Sequence, residues 1–247
     1  MKKLLIIFFF LISIAPTKAQ QIFLNYGKIE FERKLNVHKE MEGDSWLDNM
    51  KDKIPQYATT YFNLYFKDGK TLYEKGKDSD VKNSFFGNDD SGNDDIIYTD
   101  LNQQTFVKKQ SVFEETYLLS DSIRKVEWRI TNDTRDIAGF ECHKAVGKIL
   151  DSVYIIAFYT DQITTSGGPL SYCNLPGMVL GVAIPRCNLT IFATKVELVE
   201  PKPDKLVPPP AKSKMKKVNY PTLLTTLQNS IKDWGNYGRK RVINFML

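Results

Sequence analysis

Histidine is scarce in this sequence, cysteine is sparse and odd in number, and the familiar catalytic motifs are missing. Only His38 and His143 can supply an imidazole. There is no phosphate-binding glycine loop, no nucleophile elbow and no dinucleotide-binding fingerprint, which removes the enzyme classes that depend on them. Beyond the N-terminus, no segment is long and apolar enough to cross a bilayer as a helix of ~20 residues. These absences direct attention to backbone shape rather than to reactive side chains.

The three cysteines allow at most one internal disulfide and leave one thiol over. We favour Cys173–Cys187, because that bridge would tie a central loop to the end of the strand that follows it. The alternative is three unpaired, buried thiols. Cys142 beside His143 suggests a metal site or a nucleophile, but adjacent residues on a strand point to opposite faces. We therefore predict no metal site, no catalytic residue and no cofactor.

The N-terminus has the pattern of an export signal. Lys2 and Lys3 precede an apolar stretch, Leu4–Ile14, and small residues lead to a cleavage position after Ala19. Residues 1–19 are therefore predicted to be a signal peptide, with an uncleaved anchor as the alternative. No cysteine directly follows the cleavage position, which argues against a lipoprotein. We expect a protein of the periplasm or outer envelope, or one that is secreted.

The positive charge of the mature chain is concentrated in one segment. Six lysines stand against the single Asp204 between Pro201 and Lys217, whereas the rest of the mature chain is slightly acidic. A sequence pI near 8.9 is therefore no evidence for a nucleic-acid-binding face. The lysines could contact anionic lipid headgroups at the membrane surface, or they could belong to a soluble linker.

Residues 20–200 are predicted to form an antiparallel β domain. Ile29 and Phe31 begin a period-two apolar face, and Asp68-Gly69 fits the turn of a β-hairpin. The predicted strands are residues 27–37, the hairpin 58–75, and 96–99, 105–108, 112–119, 123–131, 140–149, 153–159, 178–184 and 189–199. Between them, Asp89, Asp90, Asp94 and Asp95 could bind calcium, although a solvated acidic loop is the simpler interpretation.

The proline-rich residues 201–217 are predicted to be a linker, because proline cannot donate to a sheet. Residues 218–247 are predicted to form a C-terminal helix capped by Asn219, with Pro221 in its first turn. The predicted fold is thus one mainly β domain: a curved antiparallel sheet, half-barrel-like, with a C-terminal helix packed against it.

The central stretch, Gly167–Ile184, is shaped by glycine and proline. Gly167-Gly168-Pro169 opens it, and Leu175-Pro176-Gly177-Met178 predicts a type II turn with a positive φ at Gly177. An apolar run, Met178–Ile184, then predicts a buried strand. Because the stretch contains backbone-shaping residues and few reactive ones, we expect it to have a structural and not a catalytic role.

Residues Asn174–Leu180 resemble the signature of the GLPGLI family of Gram-negative envelope proteins. Three further blocks agree in order: Gly27–Phe31, Ile137–Ala145, and Ala157–Thr160. The signature's first glycine is Asn174 here, and asparagine is among the few residues that tolerate positive φ. The resemblance implies an exported, β-rich protein of undetermined activity and supplies no catalytic residues.

These observations leave three hypotheses for function. The first is a non-enzymatic module that binds an envelope protein or a small ligand, with the signature turn in a structural role. The second is a carrier that holds an apolar ligand in the concavity of the sheet. The third is a hydrolase that uses acidic residues. None of them requires nucleic acid or a transmembrane helix in the mature chain.

Overall fold

The computed structural model describes residues 23–40, 42, 51–78, 92 and 94–247, with only the backbone for residues 236 and 237. The predicted signal peptide lies outside the described residues. So do Asp89 and Asp90 of the acidic segment.

One sheet dominates the described part of the chain. Its strands are β1 (Tyr26–Asn36), β2 (Tyr57–Lys67), β3 (Lys70–Lys75), β4 (Ile96–Asp100), β5 (Thr105–Val112), β6 (Glu115–Ser122), β7 (Arg129–Ile137), β8 (Phe140–Ile149), β9 (Val153–Thr160), β10 (Met178–Ile184), β11 (Leu189–Glu197) and β12 (Lys216–Val218). Their spatial order is β12-β6-β5-β4-β3-β2-β1-β11-β10-β9-β8-β7. All neighbours run antiparallel except β12, which runs parallel to β6.

The chain's path from β6 to β7 requires the sheet to be strongly curved. These strands are ten positions apart in the sheet order. At ~4.8 Å per strand, a flat sheet would separate them by about 48 Å. Only residues 123–128 connect them, and a fully extended chain of that length spans about 25 Å. The two edges of the sheet must therefore approach each other, although no pairing of β7 with β6 or β12 closes the sheet in the described residues.

Three α-helices complete the described structure: α1 (Val37–Glu40), α2 (Tyr220–Ser230) and α3 (Gly235–Phe245). The predicted cap is confirmed, because the Asn219 side chain accepts a hydrogen bond of 3.0 Å from the Thr222 amide. The predicted single C-terminal helix is in fact two helices, separated by a 3-10 turn and by Gly235 at φ +57°. Gly238 lies within α3, where a Cβ would stand 2.5 Å from the Ile231 carbonyl oxygen.

The helices pack against the sheet in one continuous core. Leu223 and Leu227 of α2 join Val242 and Phe245 of α3 in the same buried cluster as the strand residues. The prediction of a mainly β fold with a curved antiparallel sheet and a C-terminal helical segment is thus confirmed. The hairpin at Asp68-Gly69 is confirmed as well, with both residues at positive φ.

Two predicted strands have different boundaries in the structure. The predicted strand 112–119 is divided, because Phe113 adopts φ +54° and turns the chain from β5 into β6. The predicted strand 123–131 does not form over residues 123–128, which lie outside the sheet. Arg124 there donates to the Met246 carbonyl oxygen and Trp128 to that of Cys173, so these contacts replace sheet pairing.

The segment predicted to be a linker contains turns, closed by hydrogen bonds from the Lys205 amide to Lys202 and from the Met215 amide to Lys212, and makes specific contacts. Lys205 pairs with Glu74 and lies 4.7 Å from the centre of the Tyr65 ring. Lys216 pairs with Glu115 at 2.9 Å and begins β12. Residues 201–215 contain no strand or helix, in agreement with their proline content, but the predicted boundary at residue 217 falls inside β12.

Candidate functional site

Residues 167–177, which we call the signature loop, lie between β9 and β10 and are mostly buried, although Asn174 and Pro176 are exposed. Residues 167–170 are buried, and the Val179 amide donates to the Gly167 carbonyl oxygen at 2.8 Å. The predicted buried strand is observed as β10, in which Met178 and Ile184 are fully buried. The sequence therefore located both the loop and the strand that it precedes.

The signature turn is tighter than predicted. The Gly177 amide donates to the Leu175 carbonyl oxygen at 2.7 Å, which makes a three-residue γ-turn centred on Pro176. The Met178 amide donates instead to Ile163. The positive φ expected at Gly177 is present, at +140°, and Asn174 adopts φ +66°. The predicted type II turn is thus wrong, because the observed hydrogen bond closes a γ-turn. The predicted positive φ of Gly177 is confirmed.

Two neighbouring residues of the loop, Leu170 and Ser171, are held in a strained conformation. Their φ angles are +55° and +59°, although neither is glycine or asparagine. Left-handed backbone costs about 1–2 kcal/mol for each ordinary residue, so the surrounding packing must impose it. Leu170 is buried, and the Ser171 hydroxyl donates to the Leu170 carbonyl oxygen at 2.6 Å.

Ser171 forms part of a cleft on the inner side of the sheet. The cleft is small, because its free space has room for little more than one water molecule. Its walls come from β5, β6, the segment after β6, the signature loop and the C-terminal helices. We call it the Arg124 cleft; its lining residues are Phe106, Lys108, Leu119, Arg124, Ser171, Tyr220, Phe245, Met246 and Leu247.

Arg124 is the principal charged group of this cleft. It donates to the Met246 carbonyl oxygen at 2.5 Å, and its guanidinium lies 4.7 Å from the centre of the Tyr220 ring. Among the residues that the structure describes, no carboxylate lies within 4 Å of it. A guanidinium has five N–H donors, so most of them have no acceptor in the described structure.

Two phenols accompany Arg124. The hydroxyls of Tyr172 and Tyr220 are buried and have no hydrogen-bond partner among the described residues. Burial raises the pKa of both phenols, and the nearby Arg124 charge lowers it in part. Both hydroxyls therefore keep their protons at neutral pH and are available as donors.

The second cation of the cleft, Lys108, is already neutralised. Its ammonium lies 2.8 Å from the Asp95 carboxylate, with 5% and 4% of the side chains exposed. It also donates to an oxygen of the terminal carboxylate of Leu247 at 3.1 Å. Asp95 is therefore a buried structural residue and not part of a solvated acidic loop, whereas Asp94 is exposed and pairs with Lys75 at 3.2 Å.

The cysteines are buried and free, so the favoured Cys173–Cys187 disulfide is not formed in the structure. Burial raises the pKa of Cys142 and Cys173 to about 12 and that of Cys187 to about 11. Because the thiolate is the nucleophile, none of them is activated.

We expect no thiol of the native protein to react with iodoacetamide at pH 8, while all three react in denaturant. Mass spectrometry before and after unfolding measures this difference. Rapid labelling of one cysteine in the native state would contradict the burial of that thiol.

The two histidines do not meet the cysteines in a metal-like cluster. His38 is hydrogen-bonded through Nε2 to the Ile54 carbonyl at 2.8 Å, and the His143 ring packs 5.7 Å from that of Tyr159. Cys142 bonds the Phe140 carbonyl oxygen instead. Within the described ranges, no group of three or more His, Cys, Asp or Glu side chains is arranged to hold a metal ion.

Residues 92–222 match the family described as N-glycanase peptide, N-terminal domain. The chain belongs to this family. The match covers more than half of the chain and includes Lys108, Arg124, Ser171 and Tyr220. The last residues of α3, which close the cleft, lie beyond it.

The fold of this N-glycanase N-terminal domain recurs in solved structures of PNGF-II. The P21 form matches with a TM-score of 0.53 and 15% identity, over 83% of this chain and 34% of that one. The C2 form gives 0.52 and 15%, over 80% and 31%. The chain thus spans about a third of the length of these proteins, and at this identity the likeness shows the fold alone. No curated protein matches the chain.

Sequence reasoning missed the residues of the cleft, although a signal was available. Arg124 falls in the same period-two register as Val126 and Trp128, and Lys108 in that of Phe106 and Val112. A charge on an otherwise apolar face indicates a buried polar group.

In the described residues, no helix is both long and apolar enough to span a membrane.

Proposed function

We propose that this chain is an exported envelope protein of the GLPGLI type that acts as a binding module rather than as an enzyme. The observation that carries the proposal is the Arg124 cleft. There the signature loop, in which Leu170 and Ser171 have a strained positive φ, lies beside Arg124. Most N–H donors of the Arg124 guanidinium have no acceptor among the described residues. Strain of this kind is retained at functional sites when the surrounding fold can support it.

The family supports a binding role. The chain corresponds to about a third of PNGF-II, so in that protein this fold forms one part of a longer chain. This arrangement fits a domain that holds a ligand or a partner near a separate catalytic domain.

The two alternatives have less support from the geometry. A carrier of an apolar ligand needs a lined cavity of about 300 Å³ or more, whereas the Arg124 cleft has free space for little more than one water molecule. A hydrolase needs converging carboxylates, whereas Asp95, the buried acid next to the cleft, is paired with Lys108.

A peripheral membrane contact through the lysine-rich segment also remains a proposal. Lys205 and Lys216 are engaged with Glu74 and Glu115. The exposed lysines that could face anionic headgroups are Lys202, Lys212, Lys214 and Lys217. Each would add about 1 kcal/mol near a charged surface.

The test is capture of the mature protein from its own envelope, with three matched forms: wild type, Arg124→Gln and Lys144→Gln. Lys144 is a control because it lies on β8, pairs with Asp133 of β7 and does not line the cleft. We expect the mature protein to begin at Gln20. We expect the wild type and Lys144→Gln to retain the same molecule, and Arg124→Gln not to retain it. Native mass spectrometry identifies the molecule.

Two results would overturn the proposal. Equal retention by all three forms would remove the cleft as the binding site. A bound molecule that is recovered only as its cleavage products would favour the hydrolase. Circular dichroism of Arg124→Gln confirms that the variant is folded before the comparison is made.

A further inference from the structure

The positive charge of residues 201–217 is largely left over by the protein's own acids. Four exposed lysines of this segment have no ion pair among the described residues: Lys202, Lys212, Lys214 and Lys217. The segment's single acid, Asp204, is exposed and also has no ion pair in the described structure. The segment therefore presents a net positive charge to whatever lies outside it.

The segment lies against the outer face of the sheet. Leu64 and Phe66 of β2 are fully buried in the core, so Tyr65 between them points to the opposite face. Lys205 lies 4.7 Å from the centre of the Tyr65 ring and pairs with Glu74 of β3. These contacts hold the segment on the sheet, so its exposed side chains point away from the protein.

Exposed apolar side chains stand beside these lysines. Leu198 and Val199, which directly follow β11, are 58% and 56% exposed, and Val207 is 49% exposed. The ion pair of Glu200 with Lys67, at 2.6 Å, fixes the chain next to them on β2. Single exposed apolar residues are common, but an adjacent pair beside unpaired lysines combines apolar area with attraction for anionic lipids, the two terms that determine binding at a membrane surface.

The composition of the surface favours lipid over protein as the partner. Residues 198–217 contain no aromatic residue and no arginine. Aromatic residues and arginine are the types that supply most of the binding energy in protein interfaces, where lysine is depleted. Lysine and aliphatic side chains are sufficient at a bilayer, because anionic headgroups attract the ammonium groups and the apolar side chains enter the layer below.

We propose that residues 198–217 form a peripheral contact with an anionic bilayer, in which Leu198 and Val199 enter the boundary between headgroups and acyl chains. The four unpaired lysines then lie among the headgroups. The inner side of the sheet, with the Arg124 cleft and the C-terminal helices, faces away from the bilayer. This inference rests on the envelope location in the proposed function, and it adds an apolar component and an orientation to the lysine contact named there.

The first test is co-sedimentation of the mature protein with vesicles of phosphatidylcholine mixed with phosphatidylglycerol, against vesicles of phosphatidylcholine alone. We expect binding to the anionic vesicles only, and weaker binding at high salt. A lysine variant should bind them at least about twentyfold more weakly, because each lysine near a charged surface contributes about fivefold. This variant combines Lys202→Gln, Lys212→Gln, Lys214→Gln and Lys217→Gln.

A control variant removes the same charge from other parts of the surface. It combines Lys39→Gln, Lys53→Gln, Lys125→Gln and Lys148→Gln. These four lysines are also exposed and have no ion pair in the part of the chain that the structure describes. Their replacement should weaken binding by less than about threefold, because salt screens charges that lie more than about 8 Å from the headgroups. Circular dichroism confirms that both variants are folded.

The second test measures entry of the apolar pair. A polarity-sensitive fluorophore on Val199→Cys should shift its emission to the blue on anionic vesicles, and the native thiols are buried and should not be labelled. Ile130→Cys is the control, because Ile130 is 49% exposed on β7 and should stay in water. Leu198→Ser combined with Val199→Ser should weaken vesicle binding by about fivefold or more, because apolar area is no longer removed from water.

Equal binding to neutral and anionic vesicles, equal losses in the two lysine variants, or no blue shift at position 199 would overturn the membrane proposal. Binding to soluble polyglutamate at least as tight as to the vesicles would assign the lysines to an acidic protein and overturn it as well. The capture experiment fails independently. Retention that depends on Arg124 without vesicle binding would leave the binding module and remove only the membrane contact, whereas vesicle binding without any retained molecule would do the reverse.

Discussion

Replacing Gly177 with alanine is expected to lower the free energy of unfolding by at least about 3 kcal/mol. A Cβ at this position would stand 2.0 Å from the Thr160 carbonyl oxygen, and the backbone is at φ +140°. The left-handed strain costs about 1–2 kcal/mol and forced overpacking about 1–3 kcal/mol more. Thr160 is the partner of Met178 in the β9–β10 pairing, so the clash cannot be relieved without moving β10. Urea denaturation measures the loss.

Gly139→Ala is the matched control for this prediction. Gly139 also has a positive φ, of +85°, but nothing lies within 4 Å of the position that an alanine Cβ would occupy there. Its substitution should therefore cost only the backbone strain, about 1–2 kcal/mol. Equal losses in the two variants would mean that close packing around Gly177 contributes nothing and that the turn tolerates a side chain.

The contrast between these glycines shows what a sequence can convey about a loop. Asn174 and Gly177 are residue types that accept positive φ, so the composition of the turn predicted its backbone. Leu170 and Ser171 carry no such signal, and their left-handed conformation follows from packing by distant residues. The strained wall of the cleft was therefore not predictable from local sequence, whereas the adjacent turn was.

The same distinction applies to the sheet. Period-two alternation located most strands, because one face of each is buried. It failed for residues 123–128, where Val126 and Trp128 alternate as in a strand but pack near Gly147 while the chain crosses from β6 to β7. Alternation reports which side chains are buried and does not report which backbone groups are paired. The path of the connection depends on the curvature of the whole sheet.

The Arg124 cleft depends on contacts between residues far apart in the sequence. Arg124 meets Met246 across 122 positions, and Lys108 meets Leu247 across 139. The apolar register of Arg124 and Lys108 indicates that each is buried, but it does not indicate which distant residues they contact. Only the fold brings the signature loop, β5 and the end of α3 together, which is why the signature could be found in the sequence and the cleft beside it could not.

Removing one partner of the Lys108–Asp95 pair is expected to destabilise the protein strongly. Both side chains are almost fully buried and lie 2.8 Å apart. Lys108→Met would leave the Asp95 carboxylate buried without its cation, at a cost of about 3–5 kcal/mol, and Asp95→Asn would leave the ammonium without its anion. The double variant should recover much of this loss, because neither isolated charge remains. Urea denaturation of the four proteins at pH 7 gives the coupling free energy, which we expect to be about 2 kcal/mol or more.

The exposed pair Lys144–Asp133 is the control for this cycle. Its atoms are also 2.8 Å apart, but 31% and 63% of the side chains are exposed. Its coupling should stay below about 1 kcal/mol, because water solvates each charge when the other is removed. Strictly additive losses at Lys108 and Asp95 would show that the two charges are solvated in the folded protein. In that case the pair would not be the buried structural contact that its two nearly inaccessible side chains indicate.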